Sequence, residues 1–176
     1  MKVISAALSR KARKIKLLLL DVDGVLTDGG IFIDARGIET KRFDVRDGQG
    51  ITLLRRAGIE VGFITARSSN LVRIRARELG VSIIHQGVRD KGDAYRHIKQ
   101  KNRLEDESVA YIGDDIADVP ILRRMGLAIM VRNTWDGVRP YAHYVTQAEG
   151  GRGAVREVCE LLLKAQNLWK KLTKSY

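Results

Sequence analysis

Apolar residues come in short blocks along this chain, and most blocks end in glycine or a carboxylate. The first block, Ile15 with residues 17–20, is an aliphatic run bounded by polar residues on both sides, which predicts a strand buried on both faces. Residues 59–64, 81–84, 109–112, 127–131 and 142–145 repeat that pattern. Between them lie stretches with helical spacing: 47–57 ended by Gly58, 68–79 stopped by Gly80, 90–102, 116–125, a short piece near 135–139 and a long one at 152–168. Even alternation of the two kinds predicts an α/β fold, a Rossmann-like parallel sheet with helices on both faces. One interval departs from it. Residues 31–33 and 38–43 bracket Asp34-Ala35-Arg36-Gly37, a turn signal, and together predict a small β-hairpin flap. No repeat, low-complexity tract or linker intervenes, so residues 1–176 read as a single domain. The flap occupies about 29–44, and a C-terminal helix and tail about 152–176.

Composition narrows the function. A chain of 176 residues is long enough for a proper core. The apolar stretch at 3–8 is short and runs into a basic segment at 10–16, which does not resemble a signal peptide, and no apolar run approaches membrane-spanning length. The single cysteine, Cys159, lies in a helical pattern and reads as a core residue, so no intrachain disulfide forms and the protein is expected to be cytoplasmic. The net charge of +11 raises the question of nucleic acid. Its basic residues are scattered, however, without zinc-ligand spacing, a helix-turn-helix signal or aromatic-interleaved strands. A small anionic substrate is the preferred partner, with neither nucleic acid nor membrane.

Candidate chemistry gathers at four strand ends. Asp21 and Asp23 follow the first strand, Thr65 follows 59–64, Lys91 opens the helix after 81–84, and Asp114 follows 109–112. Singly, each has an ordinary explanation: an Asp-rich turn, a helix cap, a solvated lysine, an acidic helix start. Carboxyl ends of parallel strands share one edge, though, and that edge is where open α/β sheets bind ligands.

Asp21-x-Asp23-Gly-Val-x-Thr, Ile64-Thr65, Lys91 and Gly113-Asp114-Asp115-x-x-Asp118 resemble, in order, the four motifs of the haloacid dehalogenase superfamily. Asp44-Val45-Arg46-Asp47-Gly48, Ile64-Thr-Ala-Arg67, Gln86-Gly-x-x-x-Lys91 and Gly150-Gly-Arg-Gly-Ala-Val-Arg-Glu157 are most similar to the 3-deoxy-D-manno-octulosonate 8-phosphate phosphatases within it. The resemblance implies a Mg²⁺-dependent phosphatase of lipopolysaccharide precursor synthesis that works through an aspartyl-phosphate. Asp21 would be the nucleophile and Asp23 the acid and base. The Asp21 carboxylate, the Asp23 carbonyl and Asp114 would hold the metal, with Asp115 and Asp118 ordering its waters or Lys91. Thr65 and Lys91 would hold phosphate, and Asp23, Asp44, Val45, Arg46, Asp47, Gly48, Arg67 and Arg75 would meet the acidic sugar phosphate. The gaps between motifs leave no room for a cap domain. The family therefore implies a homotetramer whose hairpins associate, with Arg152 closing a neighbour's site in trans. Thr52, where some members carry arginine, leaves a nonulosonate 9-phosphate as the alternative substrate. A non-catalytic assembly domain would be expected to lose the acids that this chain keeps.

Overall fold

A computed structural model describes residues 5–174. Six parallel strands form the central sheet: β1 (Leu17–Leu20), β4 (Glu60–Ile64), β5 (Ile83–His85), β6 (Val109–Gly113), β7 (Leu127–Met130) and β8 (Tyr144–Val145), in the order β5-β4-β1-β6-β7-β8. The chain leaves β1, builds outward through β4 and β5, and then returns to the other side of β1 as β6. The order therefore reverses between β1 and β6, where open sheets leave a crevice at their carboxyl ends. Period-2 alternation explains why β1 consists of four buried leucines. Leu18 and Leu20 join one core with helices α1 (Ala6–Arg13), α2 (Val45–Arg56), α3 (Asn70–Glu78) and α6 (Ala154–Ala165). Leu17 and Leu19 join the opposite core, beneath α4 (Lys91–Asn102) and α5 (Val119–Leu122). Cys159 is buried in the first core.

Several elements differ from the sequence reading, each for a local reason. The sequence pattern predicts no element over the basic segment at 10–16, yet α1 begins at Ala6. Ser5 caps it, Ala, Leu, Arg and Lys are strong helix formers, and Leu8 with Ala12 supplies a narrow apolar stripe. The expected helix 116–125 splits into a 3₁₀ turn, Ile116–Asp118, and the single turn of α5, where Pro120 falls at the helix start. The piece near 135–139 is 3₁₀ from Asp136 to Tyr141. The long C-terminal helix ends at Ala165, because Asn167 takes a left-handed conformation (φ 60°) before α7 (Trp169–Thr173) begins. The end of the predicted tail, Ser175 and Tyr176, lies outside the described residues, as do residues 3 and 4 of the apolar stretch at 3–8.

The hairpin is present but shorter than its apolar pattern suggests. Only β2 (Phe32–Ile33) and β3 (Glu39–Thr40) pair, antiparallel and apart from the main sheet. Ile31, Phe32, Ile33 and Ile38 are between 52% and 61% exposed. Between the first two motif strands the chain holds only this hairpin and α2, and between the second and third only α3 and β5. No further folded unit covers the carboxyl edge among the described residues, and none of their helices is long and apolar enough to cross a membrane.

Candidate active site

At the reversal point, the loop after β1 and the loop after β6 are pressed together. Gly24 has φ +91°, and a Cβ built there would lie 1.9 Å from an Asp114 carboxylate oxygen. Only glycine satisfies both the turn and the close approach. Thr27 braces the loop by accepting the N–H groups of Gly24 (3.3 Å) and Gly29 (3.2 Å) on its hydroxyl. From behind, Gly150 packs directly on the Gly24 carbonyl, and the Gly151 N–H donates to Val25 O at 2.8 Å.

Lys91 organises the charges. It is buried at the first turn of α4, 2.7 Å from Asp21 Oδ2 and 2.6 Å from Asp118 Oδ1. Asp118 is wholly enclosed and also accepts the Tyr111 hydroxyl (2.5 Å) and the N–H groups of Asp114 (2.9 Å) and Asp115 (3.2 Å). Burial works against the Lys91 ammonium, yet Asp118 and Asp21 outweigh it and hold the pKa above that of an ordinary lysine. Asp21 also accepts the Val22 N–H at 2.6 Å; burial lifts its pKa to about 6 even with Lys91 opposing. Asp114 is pushed up to about 8 by burial and by the neighbouring Asp21 and Asp118.

That donor set suits a hard cation. Carboxylate oxygens of Asp21, Asp114 and Asp118 lie within 4.8 Å of one another, with no sulfur or imidazole in the group. Asp118 is already committed to Lys91, Tyr111 and two amides, which leaves Asp21 and Asp114 as the carboxylates with capacity for an ion. Their raised pKa values express the same point: two acids held in a dry crevice favour protons until a cation replaces them. Magnesium affinity is therefore expected to fall as pH drops below 8, because Asp114 must then lose a proton to bind, and binding should release that proton. Calorimetric titration at pH 6, 7 and 8, in buffers of different ionisation enthalpy, checks this. An affinity independent of pH with no proton release would contradict it.

Thr65 is buried at the end of β4, where its Oγ1 accepts the Arg67 N–H (3.4 Å). The following helix α3 begins at Ser69 instead, so Thr65 is not its cap. Asp23 is partly buried beside the hairpin. Its Oδ1 meets Lys41 of the hairpin, and Arg67 Nε lies 3.7 Å from its Oδ2. Arg67 also bonds Glu39 at 2.8 Å.

The Asp44–Gly48 segment divides. Asp44 caps α2 and pairs with Arg46 (2.8 Å), while Val45 is exposed. Asp47 was expected at the substrate but turns away: its two oxygens accept the N–H groups of Gly153 (3.2 Å) and Arg156 (2.7 Å), fixing α6 to α2. Gly48 is buried beneath the Arg75 guanidinium, which lies over the Phe43 ring and pairs with Glu78 at 2.8 Å. Asp115 caps the 3₁₀ turn after β6. Arg152 is held beside the site loop of its own chain, 3.9 Å from Asp28 and from Glu149.

Sequence reasoning missed Lys41, Glu39, Tyr111 and Thr134, whose hydroxyl donates to the Asp114 carbonyl. No pattern marked the first two: β3 ends at Thr40, and Lys41 reaches Asp23 from just beyond it.

A family model for haloacid dehalogenase-like hydrolases matches residues 77–157. The 3-deoxy-D-manno-octulosonate 8-phosphate phosphatase KdsC of Escherichia coli K12 is 46% identical over 163 residues, 93% of this chain and 87% of that protein. The crystal structure of the Yersinia pestis phosphatase superposes with a TM-score of 0.94 at 43% identity, over 95% of this chain and 90% of the other. That of the Moraxella catarrhalis phosphatase, in complex with magnesium, phosphate and the sugar acid KDO, gives 0.93 at 45% identity, over 96% and 97%. With the four motif strands converging on one crevice, and identity at this level across nearly the whole chain, the protein belongs to the 3-deoxy-D-manno-octulosonate 8-phosphate phosphatase family of the haloacid dehalogenase superfamily.

Proposed function

We propose that the chain hydrolyses 3-deoxy-D-manno-octulosonate 8-phosphate to the free sugar acid and inorganic phosphate, a step in lipopolysaccharide precursor synthesis. The observation that carries this reading is the Lys91 ammonium bridging Asp21 and Asp118 beside Asp114, at the reversal point of the sheet. Asp21 attacks phosphorus in line, and an aspartyl-phosphate forms as the bond to the sugar oxygen breaks. Asp23 gives that oxygen a proton and later takes one from the water that cleaves the acyl phosphate. Lys91 and the Thr65 hydroxyl hold phosphate oxygens as their charge shifts. Magnesium, held by the Asp21 and Asp114 carboxylates and the Asp23 carbonyl, offsets the repulsion between nucleophile and phosphate dianion.

Arg46, Arg67 and Arg75 would supply positive charge for the substrate carboxylate. The flap supports an assembly: a two-stranded ribbon with four exposed large apolar residues gains from burial against a second hairpin. The assembly we read is a homotetramer, as the resemblance implies, in the cytoplasm. The exposed Arg152 guanidinium, held only by 3.9 Å approaches, is available to a neighbouring site.

Phosphate release from a panel of sugar phosphates tests the reading. Turnover should be highest on the eight-carbon acid, vanish with EDTA and return with Mg²⁺. Preference for the nine-carbon acid, or full activity without metal, would overturn it. Sedimentation of active protein as a monomer would overturn the assembly alone.

A further inference from the structure

The hairpin brings more than an apolar surface to the site. The Glu39 and Lys41 side chains are largely covered, while Phe32 and Ile33 remain exposed. The Lys41 side chain is 2% exposed, an uncommon state for a lysine on a surface ribbon. Its ammonium contacts Asp23 Oδ1 and lies 3.4 Å from Glu39 Oε1. Glu39 in turn bonds Arg67 (2.8 Å) and the Ser69 hydroxyl (2.8 Å), so the flap is tied to the loop after β4 as well as to Asp23. The two Asp23 oxygens are therefore unequal. Oδ1 is occupied by Lys41, whereas Oδ2 is buried and accepts no hydrogen bond among the described residues.

We propose that Lys41 is a positioning residue for proton transfer: it locks Asp23 by Oδ1, so that Oδ2 is the oxygen that delivers and recovers the proton. The proposal rests on the phosphatase reading above and deepens it. As the bond from phosphorus to the leaving oxygen breaks, the proton on Oδ2 moves to that oxygen and leaves Asp23 as a carboxylate fixed by Lys41. In the second half, the attacking water returns a proton to the same Oδ2 as its oxygen bonds to phosphorus and Asp21 is released. Docking of the flap and readiness of the acid become one event, because the same side chain makes both.

A brace that merely holds the flap would slow every substrate alike. A brace that aims the acid would slow only substrates whose leaving oxygen needs a proton. The test is kcat/KM for wild type, Lys41→Met, Lys41→Ala and Lys41→Arg with Mg²⁺, across phosphate monoesters from 4-nitrophenyl through phenyl to simple alkyl phosphates. None of these carries a sugar that Lys41 could bind. Lys41→Met or Lys41→Ala is expected to lose about 10–100-fold on the alkyl esters and less than about threefold on 4-nitrophenyl phosphate, steepening the dependence on leaving-group pKa. Lys41→Arg, which keeps charge and donors, should restore the wild-type slope. Parallel loss across the series, or no loss, would overturn the assignment. Activity on 4-nitrophenyl phosphate that vanishes in the wild type itself would instead count against the phosphatase reading.

Discussion

Asp21→Asn is expected to reduce turnover by at least ~10⁴-fold, to the limit of detection, while leaving the fold intact. An amide of the same shape keeps a single acceptor oxygen, enough for Lys91 or for the Val22 N–H but not both, and it has no lone pair able to displace the sugar oxygen from phosphorus. Stability should hold for a reason that the charges supply. Burial raises the Asp21 pKa to about 6 in the folded chain, above its ordinary value, so the ionised form is a burden that appears as pH rises through the interval between the two. At pH 7.5 without metal, asparagine removes that burden while giving up one acceptor and one charge partner of Lys91, which still keeps Asp118, so the melting temperature should change little. Phosphate release and a thermal melt on the same preparation decide the matter. Turnover near the wild-type rate would remove Asp21 from its role.

Asp118→Ala should do the greater structural damage. The side chain is wholly enclosed and accepts from Lys91, Tyr111 and the amides of Asp114 and Asp115. Without it, a buried ammonium keeps only Asp21, and a buried phenol keeps no acceptor. Breaking a buried ion pair by removing one partner typically costs ~3–5 kcal/mol. Urea unfolding with Mg²⁺ absent should show a loss in that range. Activity should fall by at least ~100-fold even where the protein remains folded, because Lys91 and the Asp114 loop lose their anchor. A cost under ~1 kcal/mol would mean that Asp118 is not the keystone of the cluster.

The sheet was legible because strands buried on both faces must be apolar throughout, and the four leucines of β1 run straight into Asp21. Asp114, Thr65 and Lys91 were legible for the same reason: each follows an unmistakable strand, and parallel strands bring their carboxyl ends together. Lys41 was not. Its position is set by how a short ribbon folds back over the crevice, a tertiary fact with little trace in the periodicity of 38–43. Asp47 misled the reading because it sits within a motif, whereas its carboxylate is satisfied by a helix far along the chain. α1 escaped because basic helix formers with one small apolar stripe look like coil when only large hydrophobic residues are weighed.

The contact between Gly24 and Gly150 also carries a consequence for synthesis. The loop that presents Asp23 and approaches Asp114 is completed by backbone from the far end of the chain. A ribosome that has released the chain through Asp118 has exported every acid of the cluster without the wall that sets their spacing. Such a closure has high contact order and belongs late in folding. Catalytic competence should therefore arrive in one step as residues 150–153 emerge, rather than accumulating strand by strand.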